Sequence, residues 1–160
     1  MSNTKSTIFL LLLAIIFFTA AITVRWWSSP SRLGDATVKI RDTVIRVEIA
    51  NTKTKREKGL GGRSSLNEGE GMLFLFPKKD QYTFWMKDMQ FPIDIIWIAD
   101  GRVADVTFDV PVSKNGDLPL YAPWVPVDRV LEVPANFIGH HKMTIGDPVE
   151  IHIDKNLQIE

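Results

Sequence analysis

The sequence predicts an α+β protein: a compact, mainly antiparallel β domain, partly closed like a barrel, with one or two short helices, preceded by an N-terminal transmembrane helix. Three observations carry this reading. Short alternating or apolar runs recur between turn residues, helical periodicity is scarce, and one long apolar stretch stands alone at the N-terminus.

The apolar stretch comes first. Residues 6–24 carry no charge, and residues 8–24 read IFLLLLAIIFFTAAITV. As a helix these 17 residues reach about 25 Å at ~1.5 Å per residue, near the lower limit for a bilayer span. Lys5 can snorkel at one end, and Arg25-Trp26-Trp27 closes the other with the composition of an interfacial belt. A run this uniform, placed instead in a core, would need protein on every side. A cleaved export signal is the other alternative, with Thr19-Ala20-Ala21 as an imperfect cleavage site. The apolar run continues through Ile22-Thr23-Val24, longer than the ~7–15 residues usual in a cleaved segment. Residues 1–24 are therefore read as a retained signal anchor, with residues 6–27 as the membrane contact. Residues 25–36 are a linker and residues 37–160 a single domain.

Lys5 lies before the span, and Arg25 and Arg32 after it, so the positive-inside count is nearly tied. A short N-tail ahead of a long apolar run favours export. The expectation is a single-pass inner-membrane protein with its domain in the periplasm, or a secreted protein if the signal is cleaved. A cysteine-free domain suits an oxidising compartment without demanding one.

Within the domain, Ile45, Val47 and Ile49 alternate with Arg46 and Glu48, a half-buried strand. A helix follows from the capping-box pattern Thr54-Lys55-Arg56-Glu57, with Gly59 or Gly61 as its stop. Residues 72–76 form an apolar strand bounded by Gly71 and Pro77, and residues 82–86 another after a polar turn. Residues 93–98 and 103–108 flank Asp100-Gly101, the strongest hairpin signal in the chain. Residues 129–133 and 149–153 supply two more strands, and Pro134 opens one further turn ending near Gly139. Residues 109–126 break the pattern with four prolines and no periodicity. Loops this long are often lids or binding loops. Tyr121 and Trp124 in this loop are suited to stacking on a sugar or peptide, or to pinning the loop to the core.

Composition excludes several function classes. Lys+Arg and Asp+Glu both total 19, which argues against a strongly basic nucleic-acid binder. No cysteine is present, which removes disulfides, thiolate zinc sites, iron–sulfur clusters and cysteine nucleophiles. The glycines at 59, 61 and 62 match neither a P-loop nor a dinucleotide fingerprint. Ser64 and Ser65 lack a nucleophile-elbow context. His140, His141 and Asp147 lack metal-ligand spacing. Lys53, Lys55, Arg56, Lys58 and Arg63 form a basic cluster that reads first as a solvated helix face and second as an anion site.

The best-placed polar groups are Lys87 and Asp94, at neighbouring strand ends beside large apolar residues. Asp94 opens a strand that otherwise reads as core. It is either held by backbone N–H groups or works in a pocket as acceptor or general base. Glu132 likewise interrupts the apolar strand of Val130, Leu131 and Val133, and Arg63 is a further candidate member.

Seven segments of the chain — Gly59-Leu60-Gly61-Gly62-Arg63, GMLFLF from Gly71, FWMKDM from Phe84, PIDIIWI from Pro92, DGRV from Asp100, VLEVPA from Val130 and IGDPV from Ile145 — closely resemble the bacterial and archaeal family known as domain of unknown function 192. The resemblance covers about residues 37–153, with the motifs in family order. It implies small exported or membrane-anchored proteins of mixed, β-rich fold, with no established biochemical role. Its polar signature positions fall on Arg63, Lys87, Asp94 and Glu132. Two departures stand out. Gly61 lies where relatives usually carry a bulkier residue, often Met. Relatives also often carry cysteines in the long loop, so a thiol role there is not general.

Two function classes remain. The favoured one is a membrane-anchored extracytoplasmic binding or accessory module for a carbohydrate, peptide or protein partner at the cell envelope. Its ligand-binding candidates are Arg63, Trp85, Lys87, Asp94, Tyr121 and Trp124. The alternative is a small metal-independent hydrolase or transferase using Asp94 and Lys87, with Glu132 as a third catalytic candidate. No cofactor, metal ion or nucleic acid is expected.

Overall fold

Seven strands and two short helices follow one another in a computed structural model, which describes residues 36–113 and 116–153. The strands are β1 (Ala36–Ile40), β2 (Thr43–Ala50), β3 (Glu70–Asp80), β4 (Ile93–Ala99), β5 (Arg102–Val110), β6 (Val127–Pro134) and β7 (Val149–Ile153). Helix α1 (Lys53–Lys58) links β2 to β3, and α2 (Phe137–His140) follows β6. The N-terminal apolar run read as a membrane anchor lies outside the described residues. Among the described residues no helix is long and apolar enough to cross a membrane.

The strands form one sheet in the order β5-β4-β6-β3-β2-β1-β7. Every pairing is antiparallel except β2 with β3, where α1 makes the crossover that a parallel pair needs. The sheet curls until its two edges touch at one end. Arg102 bridges Pro148, and the Val149 N–H donates to the Gly101 carbonyl at 2.8 Å. The result is a mainly β half-barrel, as the sequence implies.

Two apolar clusters flank the central strands. The inner one draws on all seven strands and includes Val38, Ile45, Leu73, Ile96, Val103, Leu131 and Val149, with Phe137 and Ile138 of α2. The outer one holds Met72, Phe74, Ile95, Trp97 and Val130, covered by Leu60, Met86 and Met89 from the connecting segments. Strands β3, β4 and β6 are therefore buried on both faces, which is why they read as near-continuous apolar runs. Each fully buried Leu, Ile or Phe side chain contributes about 2 kcal/mol of apolar transfer.

Several boundaries differ from the sequence reading. Strand β1 was not expected, although Ala36, Val38 and Ile40 alternate buried with Thr37 and Lys39. Helix α1 begins two residues early, because Thr52 rather than Thr54 caps it, accepting from the Lys55 N–H at 3.4 Å. Strand β3 runs on through Pro77. It has left β2 behind by then, and its pairing with β6 is already bulged, so the missing N–H breaks no ladder. Residues 82–86 are not a strand and contribute one bridge, between Phe84 and Tyr121. The Asp100-Gly101 hairpin forms as expected, with φ of 54° and 68° at the two turn residues.

Candidate functional site

The outer face of the sheet carries a pocket, bounded by α1 and its exit on one side and residues 82–89 on the other. Each wall has a local cause. The Arg56 guanidinium donates to the Asn51 and Leu75 carbonyls, both at 2.9 Å, and lies 5.2 Å from the Phe76 ring centroid. These contacts fix α1 against β3. The helix stops at Gly59, whose φ of 50° is a backbone state that glycine adopts without Cβ strain. At Gly61, a Cβ would meet the Lys58 and Lys87 carbonyl oxygens at 3.0 and 3.2 Å. The two walls thus converge on Gly61, and the next N–H, of Gly62, stitches them by donating to the Asp88 carbonyl at 2.8 Å.

The opposite wall is held by its backbone and its rings. Phe84 and Tyr121 exchange two backbone hydrogen bonds at 2.8 and 2.9 Å. The Phe84 ring meets Phe74 and Trp97 edge to face, at centroid distances of 4.9 and 5.4 Å. The pocket, open to solvent on one side, holds about 260 Å³. Its walls are apolar, from Leu60, Phe74, Phe76, Phe84, Trp85 and Met89. Its mouth carries Lys53, Arg56, Lys58 and Lys87 against one acid, Glu57.

Glu132 lines the same space. It lies in a row that crosses four strands: Glu48 on β2 pairs with Met72 on β3, Met72 with Glu132 on β6, and Glu132 with Ile95 on β4. The Glu132 side chain is buried, and its Oε2 has no hydrogen-bond partner among the described residues. Burial pushes the carboxyl up to about 8, against a downward pull from the Arg63 guanidinium. At neutral pH the group is mostly an uncharged acid that can both donate and accept a hydrogen bond.

The other candidates divide. Lys87 and Trp85 line the pocket, with Trp85 half exposed. Asp94 does not. It is fully buried on the inner side of β4, accepting from the Asp109 N–H at 2.8 Å and the Ile138 N–H at 2.9 Å. No ion pair joins it to Lys87, because Asp94 is buried on the inner side of the sheet and Lys87 lines the pocket on the outer face. Arg63 is not among the residues that line the pocket and is committed to Glu48 through two bonds of 2.7 and 2.6 Å. That pairing raises the Arg63 pKa further, against the effect of burial.

Tyr121 pins the long loop through its backbone, the second of the two uses open to it in the sequence. Trp124 is 90% exposed and is not among the pocket residues, while its N–H donates to Asp105 Oδ2 at 2.9 Å. His141 pairs with Thr43 and Asp147 accepts from the Thr144 N–H, so these groups serve local structure. The sequence reads Lys53 and Lys58 first as a solvated face and second as an anion site, and both line the pocket. The signal that could have put the second reading first is the glycine run at 59, 61 and 62, which turns the helix exit toward residues 82–89.

The fold recurs in solved structures. One is a putative transcription regulator from Sinorhizobium meliloti 1021, 27% identical, with a TM-score of 0.67 over 72% of this chain and 92% of that one. Another is a protein of unknown function from Novosphingobium aromaticivorans DSM 12444, 32% identical, with a TM-score of 0.65 over 72% of this chain and 82% of that one. No curated protein matches the chain. Residues 36–151, which take in the whole sheet but for its last two residues and every wall of the pocket, match the family model DUF192, described as "Uncharacterized ACR, COG1430", and the chain belongs to that family.

Proposed function

We propose that this protein is a membrane-tethered, extracytoplasmic binding module whose outer-face pocket holds a small ligand of the cell envelope. The observation that carries the reading is Glu132: a buried carboxyl with an unpartnered oxygen on an aromatic-walled pocket. A buried polar atom left without a partner costs about 1–3 kcal/mol, and a ligand that supplies the partner recovers it. Few convergent polar groups in a mostly apolar concavity is the usual composition of a ligand site. The uncharged apolar run at residues 8–24, closed by Arg25-Trp26-Trp27, supports the tether. The hydrolase or transferase alternative loses Asp94, whose two oxygens are both engaged by backbone N–H groups.

The test has two arms. Alkaline phosphatase and a cytoplasm-dependent fluorescent reporter, fused separately to the C-terminus, should give an active phosphatase and a dark reporter. The reverse result overturns the topology. The full chain in detergent is then screened by thermal shift against monosaccharides, acidic sugars and short peptides. A rise in Tm that Trp85→Ala abolishes supports the pocket, and a rise that survives Trp85→Ala places binding elsewhere.

A further inference from the structure

We propose that the pocket's ligand class is a single anionic sugar ring, one that carries a carboxylate or phosphate and free hydroxyls. The inference rests on the binding reading above and narrows it through three features of the same space.

Size is the first. A volume of about 260 Å³ falls just below the ~300–1,000 Å³ of drug-sized sites. It has room for about one ring and not for a folded peptide.

Charge is the second. Four cationic side chains and one carboxylate surround the mouth. Lys53 is partly offset by Glu57, at 3.8 Å, and Arg56 is engaged with carbonyls of the protein. Lys58 and Lys87 form no ion pair among the described residues, and the close approach at Gly61 brings their backbones together. Two exposed lysines lining one pocket, with the Asp88 Cβ also near Gly61, attract an anion and repel an amine.

The third is the hydrogen-bonding character of the interior. Glu132 is the buried acid among the residues that line this space, and its Oε2 has no hydrogen-bond partner among the described residues. An uncharged carboxyl complements a hydroxyl, because each both donates and accepts. An anionic ring without hydroxyls leaves that oxygen unsatisfied, at a cost in affinity. Trp85, half exposed, also lines the pocket, and its ring is suited to packing on the C–H face of a sugar. The charged group that acts on Glu132 is Arg63, from the loop after α1, which itself interacts with Glu48 on β2 and Glu70 on β3, while across the β4 pairing Glu132 meets Ile95. Arg63 is held by Glu48, so it cannot turn into the pocket to serve a ligand.

The experiment is a calorimetric or saturation-transfer titration of the full chain in detergent micelles at pH 6.5. The probes are glucuronate, glucose 1-phosphate, glucose, benzoate and inorganic phosphate. Glucuronate or glucose 1-phosphate should bind at least tenfold tighter than the other three. The Lys58→Gln/Lys87→Gln double variant should lose at least tenfold in affinity with Tm unchanged, since both side chains are exposed. Between pH 6.5 and 9 glucuronate keeps its charge while Glu132 ionises, so its affinity should fall in the wild type and stay level in Glu132→Gln.

Glucose binding as tightly as glucuronate overturns the anionic class and leaves the pocket reading intact. Benzoate or inorganic phosphate matching the acidic sugars overturns the sugar ring. If no sugar binds while a peptide gives a Trp85-dependent thermal shift, the ligand class falls and the binding reading stands. If no probe in either experiment depends on Trp85, both fall.

Discussion

Asp94 on β4 accepts the backbone N–H of Ile138 at 2.9 Å and thereby caps a helix that its own sequence leaves uncapped. The residue at the N-cap of α2, Asn136, sits at φ 67° and makes no side-chain capping bond. The first-turn N–H groups of a helix need partners, and here one comes from a strand 44 residues earlier. The second Asp94 oxygen takes the Asp109 N–H where β5 ends, so one carboxylate ties α2 and the start of the long loop to β4.

Asp94→Asn turns one of these acceptors into an N–H₂ group facing an N–H. Loss of the charge-assisted bond should cost about 1–3 kcal/mol. Tm should fall by several degrees in a domain of this size. Ligand affinity at the outer pocket should stay within twofold, since Asp94 faces the other side of the sheet. Chemical denaturation and titration of the same variant check both halves, and a variant as stable as wild type refutes the capping role.

Arg63 and Glu48 form a bidentate pair over the row that leads to Glu132. The two side chains are 31% and 26% exposed, so solvent screens part of the attraction. A double-mutant cycle of Arg63→Met and Glu48→Gln should give a coupling of about 1 kcal/mol. Arg63→Met should also raise the Glu132 pKa further, because it removes the cation that pulls it down. Carboxyl titration followed by NMR reads that shift, and an unmoved Glu132 shows that the two groups do not interact.

How much of this was legible in the sequence differs by element. The Asp100-Gly101 turn and the runs that became β3, β4 and β6 were readable, because turn chemistry and burial on both faces leave local signatures. Strand β1 was not, since the turn after it uses Arg41 at φ 55° and Asp42 rather than a glycine pair. Residues 82–86 have strand composition but pack their rings as a cover over the sheet, a tertiary outcome that propensity does not encode. The two carboxylates were both recognisable as acids in apolar strands. Which one meets backbone N–H groups and which one faces a pocket depends on what packs over each face, and that is long-range.

Gly71 on β3 illustrates a constraint that only the structure reveals. A Cβ there would lie 2.8 Å from the Glu132 carbonyl oxygen and 3.1 Å from Leu131 Cδ1. The first neighbour is backbone of a central strand and cannot move aside cheaply. Gly71→Ala should therefore destabilise the domain by about 1–3 kcal/mol, despite the entropic benefit of alanine in a strand. It should also weaken ligand binding by shifting Glu132. An unchanged Tm would mean that β3 and β6 can part without cost.

Glu132 makes the stability of the domain depend on pH in the opposite sense to an ion-paired carboxylate. Its folded pKa of about 8 lies above the ordinary value of 4.5. Between those values the folded state holds more protons than the unfolded chain, so raising the pH favours unfolding. The contribution is fully present below about pH 4.5 and is lost progressively as pH rises through about 8. Each pH unit in that window removes up to ~1.4 kcal/mol, and the total is on the order of a few kcal/mol. Other carboxylates add their own slopes, but they are common to wild type and Glu132→Gln. The difference in unfolding free energy between the two isolates this group. Glu132→Gln should become more stable relative to wild type at each step from pH 5 to pH 8 and hold a constant margin above it. A difference that stays level across that range would show that the Glu132 carboxyl is already ionised in the folded protein, and that the pocket interior carries a charge rather than a neutral acid.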